Sequence, residues 1–172
     1  MIDLKQIEEF IIDVPDFPKK GIVFKDITPI FENHVCFVSL VRHFARAIPE
    51  DTTKLIGIES RGFLLGAAIA QHLNVGLVLA RKPGKLPRQT QSQTYSLEYG
   101  EDELQIHTSS IAKNDKVVII DDILATGGTA QAAESLCLKM GADVLGSYFL
   151  MQISALKGKD KLTKPVHSFL QV

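Results

Sequence analysis

The chain has 172 residues, of which 45% are hydrophobic, and this is enough apolar material for one globular domain with a sizeable core. The net charge of −1 argues against a general nucleic-acid or membrane-surface role. No apolar run approaches the length of a membrane span, and the charged start Asp3–Gln6 is unlike a secretory leader. The two cysteines, Cys36 and Cys137, lie far apart in apolar segments, which favours buried, reduced thiols in a cytoplasmic protein.

The first part of the chain predicts two helices with an irregular segment between them. Asp3 and Gln6 form the pattern of a capping box, so a helix is expected to begin there. Pro15 and Pro18 mark its predicted end. Residues 21–31 are predicted as a short strand and loop, and a second helix is predicted over 34–48. One apolar side of that helix is predicted to carry Val35, Val38, Val41, Ala45 and Ile48.

Strands then alternate with helices through most of the remaining chain. Strands are predicted over 54–58, 75–80, 117–120 and 143–150, and helices over 62–73 and up to about 140. The polar stretch 82–94 holds two prolines and is predicted as a mobile loop before a short strand pair at 95–97 and 104–107. Such an alternation predicts an α/β fold whose mostly parallel sheet is covered by helices on both faces.

Several charged side chains are predicted to converge at one edge of this sheet. Ligands of parallel sheets bind beyond the carboxyl ends of the strands, where Glu59, Arg81 and Asp121 would emerge. Ser60–Gly62 lies at a strand-to-helix junction, where backbone N–H groups and one guanidinium can meet an anion. A further cationic cluster consists of Arg81, Lys82, Lys85 and Arg88. A solvated charge run is the usual explanation of such a cluster, but its place after a strand end favours a polyanion clamp.

The most informative segment is Val117–Thr129. Its β-branched residues predict a strand buried on both faces, and Asp121 and Asp122 stand where that strand should end. A glycine turn before a helix can point several backbone N–H groups at one phosphate, and the helix dipole favours the same charge. The residues predicted to hold this phosphate are Ala125, Thr126, Gly127, Gly128 and Thr129.

The two acids narrow the class of ligand further. Asp121 and Asp122 would repel a phosphate alone, so they fit a ligand that also presents hydroxyl groups, such as a ribose phosphate. A generic nucleotide site is the main alternative, although the chain has neither a P-loop nor a G-x-G-x-x-G motif. An ordinary strand–turn–helix corner would not explain paired acids together with paired threonines.

These thirteen residues resemble the phosphoribosyl-pyrophosphate signature of the type I phosphoribosyltransferases. Six further blocks are similar, in the same order, to the adenine-specific members of that family, namely residues 16–19, 21–27, 59–63, 81–87, 95–100 and 156–158. The resemblance implies the type I fold, a mostly parallel twisted sheet flanked by helices. It also implies a single domain over 1–172, in which 1–33 and about 151–172 form a small hood over the base site.

The same resemblance implies a purine salvage enzyme and assigns roles to individual residues. The 5-phosphoribosyl group of phosphoribosyl pyrophosphate would be transferred to adenine, giving AMP and pyrophosphate. The pyrophosphate would be bound by Glu59, Ser60, Arg61, Arg81, Lys82 and Lys85. The adenine would be contacted by Val23, Phe24, Lys25 and Ile153, with Lys25 acting through its backbone. Glu98 would accept a proton from the base, and Asp121 and Asp122 would stabilise the positive charge that develops on the ribose.

The cofactor and the oligomeric state are also predicted. The five histidines show no metal-ligand spacing and are interpreted as surface or local structural residues. Mg²⁺ is expected to be bound mainly through the substrate's pyrophosphate and ribose oxygens, because so highly charged a leaving group needs a counter-ion. Family members are commonly dimers, so a homodimer is expected, and whether Arg81 acts in its own or a neighbouring subunit stays open. Two alternatives also stay open: a phosphoribosyltransferase for hypoxanthine, guanine or xanthine, and a non-catalytic regulator that senses phosphoribosyl pyrophosphate.

Overall fold

The computed structural model of the protein describes residues 2–96 and 100–172. These residues form two compact units, Met1–Arg46 and Ala47–Val172, and each unit is described by itself. The single domain predicted over 1–172 therefore stays a prediction. Within the described ranges, no helix is long and apolar enough to cross a membrane.

The first unit contains short elements around one longer helix. Its elements are α1 (Leu4–Glu8), β1 (Ile12–Pro15), β2 (Val23–Asp26), α2 (Thr28–Glu32) and α3 (His34–Ala47), the last of which reaches into the second unit. The capping box is confirmed, because Asp3 accepts from the Gln6 N–H at 2.9 Å and Gln6 accepts from the Asp3 N–H at 3.0 Å. Strands β1 and β2 pair in antiparallel fashion.

One helix end and one loop predicted in this unit are wrong. The first helix ends at Glu8 rather than at Pro15, because residues 12–15 pair with β2 instead of continuing the helix. The predicted loop up to residue 31 contains helix α2, whose first turn holds Pro29, a position where proline's missing N–H costs nothing.

The buried side of α3 also differs from the prediction. Val35 and Val38 are 45% and 44% exposed, whereas Leu40 and Phe44 are fully buried. Of the five residues predicted for one apolar side, Val41 and Ile48 are buried. Cys36, Leu40 and Phe44 recur every four residues and form a second apolar stripe, and Leu40 and Phe44 are bulkier than the valines at 35 and 38, so burying this stripe removes more apolar surface from water.

The second unit has the predicted α/β architecture. Its elements are β3 (Lys54–Ile58), α4 (Arg61–Leu73), β4 (Gly76–Ala80), β5 (Thr90–Ser96), β6 (Glu101–His107), β7 (Lys116–Leu124), α5 (Gly128–Lys139), β8 (Asp143–Gln152) and β9 (Val166–Gln171). Five strands form a sheet in the order β4-β3-β7-β8-β9, and every neighbouring pair is parallel. Strands β5 and β6 form a separate antiparallel pair. The parallel sheet is thus confirmed.

Strand β7 forms the centre of this sheet. Residues Val117 to Ile120 have no exposed surface, which confirms a strand buried on both faces. One face of the sheet packs on α5 in a core that includes Ile119, Ala133 and Leu136. Helix α4 packs against β3 and β7. Because β7 and β3 lie side by side, their carboxyl ends open at the same edge of the sheet.

Several predicted elements in this unit need correction. Strand β7 continues to Leu124, so both predicted catalytic acids lie within the strand rather than after it. The predicted loop 82–94 ends earlier, because β5 begins at Thr90 and pairs with β6 over seven residues. Strand β9 was not predicted. The two cysteines are confirmed as buried free thiols.

Candidate active site

A cavity of about 340 Å³ lies at the carboxyl ends of β3 and β7. Its wall is formed by residues 59–61, 121–130 and Phe149. The structure therefore brings together two segments that are far apart in the sequence: one holds the acid pair and the predicted phosphate-binding residues 125–129, and the other holds Glu59, Ser60 and Arg61. Their convergence follows from the neighbouring positions of β3 and β7 in the sheet.

The predicted phosphate-binding residues, here called the phosphate loop (125–129), form the start of α5. Gly127 occupies the N-cap position with φ of 80°, a left-handed conformation that glycine adopts without steric cost. The cap residue carries no side chain, so the first-turn N–H groups of α5 stand at the cavity wall. This arrangement can donate several hydrogen bonds to an anion, and the positive end of the helix dipole adds to them.

A second glycine supports the phosphate loop from outside the cavity. A Cβ atom built on Gly127 would overlap the carbonyl oxygen of Gly158, and one built on Gly158 would overlap that of Ala125. The two backbones therefore touch directly, and Gly158 belongs to the short 3-10 helix Gly158–Lys161. The two backbones are too close for a side chain to fit between them. The segment after β8 therefore fixes the position of the phosphate loop.

One member of the acid pair, Asp122, is buried beside an arginine, and Asp121 is half-buried. Asp122 is 3% exposed, and its Oδ2 atom lies 2.8 Å from Nε of Arg61. Asp121 Oδ1 accepts a hydrogen bond from the Asp122 N–H at 2.9 Å. Burial raises the pKa of Asp121, and the neighbouring Asp122 carboxylate raises it further. Burial also raises the pKa of Asp122, although the Arg61 guanidinium opposes this shift.

Close backbone packing positions Arg61 against the acids. Gly62 follows Arg61 in the first turn of α4, and a Cβ atom at this glycine would lie 2.7 Å from the carbonyl oxygen of Ile120 and 3.0 Å from Oδ1 of Asp121. Helix α4 can therefore start directly against the end of β7 only with glycine at position 62. This contact holds one cation and two carboxylates at the same cavity wall.

Glu59 forms ion pairs and a hydrogen bond with the cationic residues that follow β4. Its carboxylate lies 2.6 Å from Nζ of Lys85 and 3.3 Å from the guanidinium of Arg81, and it accepts from the N–H of Lys82 at 2.9 Å. Burial alone would raise the pKa of Glu59, but these hydrogen bonds outweigh burial and lower the pKa to about 2. Glu59, predicted to bind pyrophosphate, contacts the cationic loop that would meet such an anion. We call residues 81–88 the cationic loop.

The depressed pKa of Glu59 predicts an acid-dependent loss of stability. Because its pKa is about 2 when folded and near 4.5 when unfolded, its contribution is complete above about pH 4.5 and is lost as pH falls towards 2. Glu59→Gln should therefore be less stable than the wild type at neutral pH, with a difference that shrinks on acidification. Thermal unfolding between pH 7 and pH 3 measures this difference in stability, and Glu8→Gln, at an exposed position, serves as the control. A difference that does not change with pH would contradict this account.

The residues predicted to contact the base lie in both units. Val23, Phe24 and Lys25 form β2 in the first unit, where Nζ of Lys25 pairs with Asp13 at 2.7 Å. Ile153 follows β8 in the second unit and lines another cavity, of about 290 Å³. Glu98, the predicted proton acceptor, lies outside the described residues.

Comparison with known proteins identifies the family. Residues 30–169 match the family of the phosphoribosyl transferase domain. The adenine phosphoribosyltransferase of Geobacter metallireducens is 48% identical over 160 residues, which cover 92% of this chain and 94% of that protein. The chain belongs to the adenine phosphoribosyltransferase family.

Solved structures of this family confirm the predicted type I fold. The adenine phosphoribosyltransferase of Thermoanaerobacter pseudethanolicus is 42% identical, with a TM-score of 0.96 over 99% of this chain and 100% of that chain. The enzyme of Trypanosoma brucei, solved in complex with AMP, pyrophosphate and ribose-5-phosphate, is 28% identical, with a TM-score of 0.88 over 98% of this chain and 79% of that chain.

In this member of the adenine phosphoribosyltransferase family, sequence reasoning missed two residues of the site. Phe149 lines the cavity because it pairs with Asp121 across β7 and β8, a register that local patterns do not reveal. Gly158 had a signal, since it ends the similar block 156–158, but its role as a backbone neighbour of the phosphate loop requires the tertiary contact.

Proposed function

We propose that this chain transfers the 5-phosphoribosyl group of phosphoribosyl pyrophosphate to adenine, giving AMP and pyrophosphate in purine salvage. The observation that carries the proposal is the single cavity shared by the phosphate loop, the acid pair and Arg61. Family membership supports the same reaction, and the complex of the Trypanosoma brucei enzyme contains both products.

Substrate binding follows from the charges around the cavity. The 5′-phosphate is placed on the phosphate loop (125–129), and the ribose hydroxyls donate to Asp121 and Asp122. The pyrophosphate faces Arg61 together with Arg81, Lys82 and Lys85 of the cationic loop. The resemblance to the family assigns the adenine contacts to Val23, Phe24, Lys25 and Ile153.

The same charges act differently on the ground state and on the transition state. When the glycosidic bond to pyrophosphate breaks, the ribose ring becomes positive, and carboxylates at fixed positions nearby favour this charge. The arginine and lysines favour the increasing negative charge of the leaving pyrophosphate. Glu98 accepts the proton that the attacking base must lose. No residue has to form a covalent intermediate.

We include Mg²⁺ in the proposal as a substrate-bound ion. Among residues 2–96 and 100–172, no three His, Cys, Asp or Glu side chains come together as a metal site. The carboxylates of Asp121 and Asp122 line the cavity, and Mg²⁺ is commonly held by one or two carboxylates plus substrate phosphates. When bound, the ion would neutralise negative charge on the pyrophosphate. A cytoplasmic location and a homodimer complete the proposal.

The direct experiment measures pyrophosphate release by the purified protein given phosphoribosyl pyrophosphate, Mg²⁺ and one base at a time. Release with adenine, and little with hypoxanthine, guanine or xanthine, supports the proposal. Release with a 6-oxopurine instead would favour the first alternative substrate class. Binding of phosphoribosyl pyrophosphate without release for any base would favour a regulator.

A single substitution tests the phosphate loop. Thr129→Ala removes one hydroxyl donor, and charge-assisted hydrogen bonds contribute about 1.5–3 kcal/mol, so affinity for phosphoribosyl pyrophosphate should fall about 10- to 100-fold. Calorimetric titration measures the loss, and the exposed Thr108→Ala, which does not line the cavity, serves as control. Unchanged affinity in Thr129→Ala would argue against the phosphate site.

A further inference from the structure

The backbone of the parallel sheet places Glu59 beside the start of the cationic loop. Glu59 directly follows β3, and its N–H donates to the carbonyl oxygen of Ala80, the last residue of β4, at 3.0 Å. The cationic loop begins at the next residue, Arg81. The side chain of Glu59 is 11% exposed, so its carboxylate lies largely below the protein surface. The two strand ends therefore hold a nearly buried carboxylate against a cluster of cations.

Both carboxylate oxygens of Glu59 contact the cationic loop. Oε1 lies 2.6 Å from Nζ of Lys85 and 3.3 Å from Nη2 of Arg81. Oε2 accepts from the Lys82 N–H at 2.9 Å and from Nε of Arg81 at 3.4 Å. Arg81 also donates through Nη1 to the carbonyl oxygen of Lys85 at 3.2 Å. Residues 81–85 thus turn around the carboxylate, which brings two cations four residues apart to one point.

The charge of Glu59 prevents it from binding pyrophosphate directly. Burial would raise the pKa of Glu59, but its hydrogen bonds with the cationic loop outweigh burial and lower the pKa to about 2, so the group is ionised at neutral pH. An ionised carboxylate only accepts hydrogen bonds, and so do the oxygens of ionised pyrophosphate. Two such groups repel each other unless cations lie between them. The resemblance to the family, by contrast, assigns Glu59 to the residues that bind pyrophosphate.

The same charge allows two cations to lie close together. Arg81 and Lys85 would repel each other beside an uncharged residue 59, and their long side chains could then move apart into solvent. The Lys85 side chain is 48% exposed, and the described hydrogen bonds use one of its three ammonium protons. Lys85 can therefore still donate to an anion while Glu59 holds it.

We propose that Glu59 is a positioning residue, which promotes pyrophosphate binding by holding Arg81 and Lys85 together rather than by touching the anion. The inference rests on the proposed function, in which the cationic loop meets the pyrophosphate. It applies whether the loop serves its own subunit or a neighbouring one, because these ion pairs lie within one chain. Loss of the charge at position 59 should weaken pyrophosphate binding, although removal of a negative charge ordinarily strengthens the binding of an anion.

Glu59→Gln keeps the size of the side chain and can still accept from the Lys82 N–H, but it lacks the charge that attracts the two cations. Affinity for pyrophosphate should fall about 10-fold, because misplaced groups bind less well. Affinity for ribose 5-phosphate, which the phosphate loop binds, should stay unchanged. In a Lys85→Met background the loss of pyrophosphate affinity should be smaller, since one of the two positioned cations is already missing. Calorimetric titration of the four proteins with each ligand completes this double-mutant cycle.

Asp51→Asn is the matched control. Asp51 also pairs with a lysine, Lys116, at 2.5 Å, but this pair lies at the amino ends of β3 and β7 and does not line the cavity. The variant makes the same change in net charge as Glu59→Gln. Its pyrophosphate affinity should not fall, so a fall confined to Glu59→Gln supports the positioning role.

Three results of the cycle would overturn this role for Glu59. They are unchanged or tighter pyrophosphate binding by Glu59→Gln, an equal loss in the Lys85→Met background, and an equal loss for ribose 5-phosphate, which a merely structural residue predicts. Glu59→Asp is a second variant that keeps the charge on a shorter side chain. Its pyrophosphate affinity should lie between those of the wild type and Glu59→Gln, and an affinity no better than that of Glu59→Gln also contradicts the role.

The wild-type protein separates this inference from the proposed function. Failure of the wild type to bind pyrophosphate would overturn the proposed role of the cationic loop itself. Wild-type binding that Glu59→Gln leaves intact would overturn only the positioning role of Glu59.

Discussion

Replacement of both Asp121 and Asp122 by asparagine should lower kcat about 1,000-fold, the scale of losing preorganised electrostatic groups in an active site. Asparagine keeps the size of each side chain and can still accept a hydrogen bond from a ribose hydroxyl. It lacks the negative charge that stabilises the positively charged ribose of the transition state. The KM for phosphoribosyl pyrophosphate should therefore change by less than about 10-fold, since ground-state hydrogen bonds are retained.

Stability measurements separate this electrostatic effect from unfolding. Burial raises the pKa of both acids, so charging them in the folded protein costs free energy, and that cost grows as pH rises from the pKa of an unfolded carboxyl group towards the folded pKa values and is constant above them. The double variant has no such cost, so its stability relative to the wild type should increase as pH rises above the usual pKa of a carboxyl group. Equal losses in kcat and in substrate affinity would mean that the two acids only position the ribose.

Gly158→Ala should raise the KM for phosphoribosyl pyrophosphate about 100-fold, because misplacing binding groups by about 1 Å has effects of this size. The added methyl group would overlap the carbonyl oxygen of Ala125 and would lie 2.8 Å from the nitrogen of Gly127. The phosphate loop must therefore move away from its position at the cavity wall. Overpacking of this kind destabilises proteins by about 1–3 kcal/mol.

A matched glycine elsewhere controls for the change in stability. Gly141 has a φ of 85°, and the three atoms nearest to its added Cβ would all belong to Lys113, at 3.4 Å or more. Gly141→Ala should cost about 1 kcal/mol through its backbone conformation while leaving the KM unchanged. Steady-state kinetics and thermal unfolding of both variants provide the comparison. A Gly158→Ala variant with wild-type KM would show that this contact does not position the phosphate loop.

Local patterns were sufficient to predict the part of the site that lies on one continuous segment. Strand β7, its two acids and the phosphate loop follow one another between residues 117 and 129, so hydrophobic periodicity and glycine chemistry identify them together. The parallel sheet was equally predictable, because alternating strands and helices allow few other arrangements.

Features that depend on distant partners were predicted less well. The short first helix ends at Glu8 because residues 12–15 find a partner strand, and this pairing has no local signal. The cationic cluster contains no acid in the sequence, yet Glu59 and Asp102 reach it from β3 and β6. Strand β9 forms by pairing with β8. In each case a tertiary contact, rather than intrinsic preference, determines the structure.

A crystal structure of the protein with AMP tests the central claim most directly. The account predicts phosphate oxygens within about 3.2 Å of backbone N–H groups in residues 126–129, together with ribose hydroxyls at hydrogen-bonding distance from Asp121 and Asp122. A nucleotide whose phosphate lies elsewhere, with neither acid near its ribose, would contradict it.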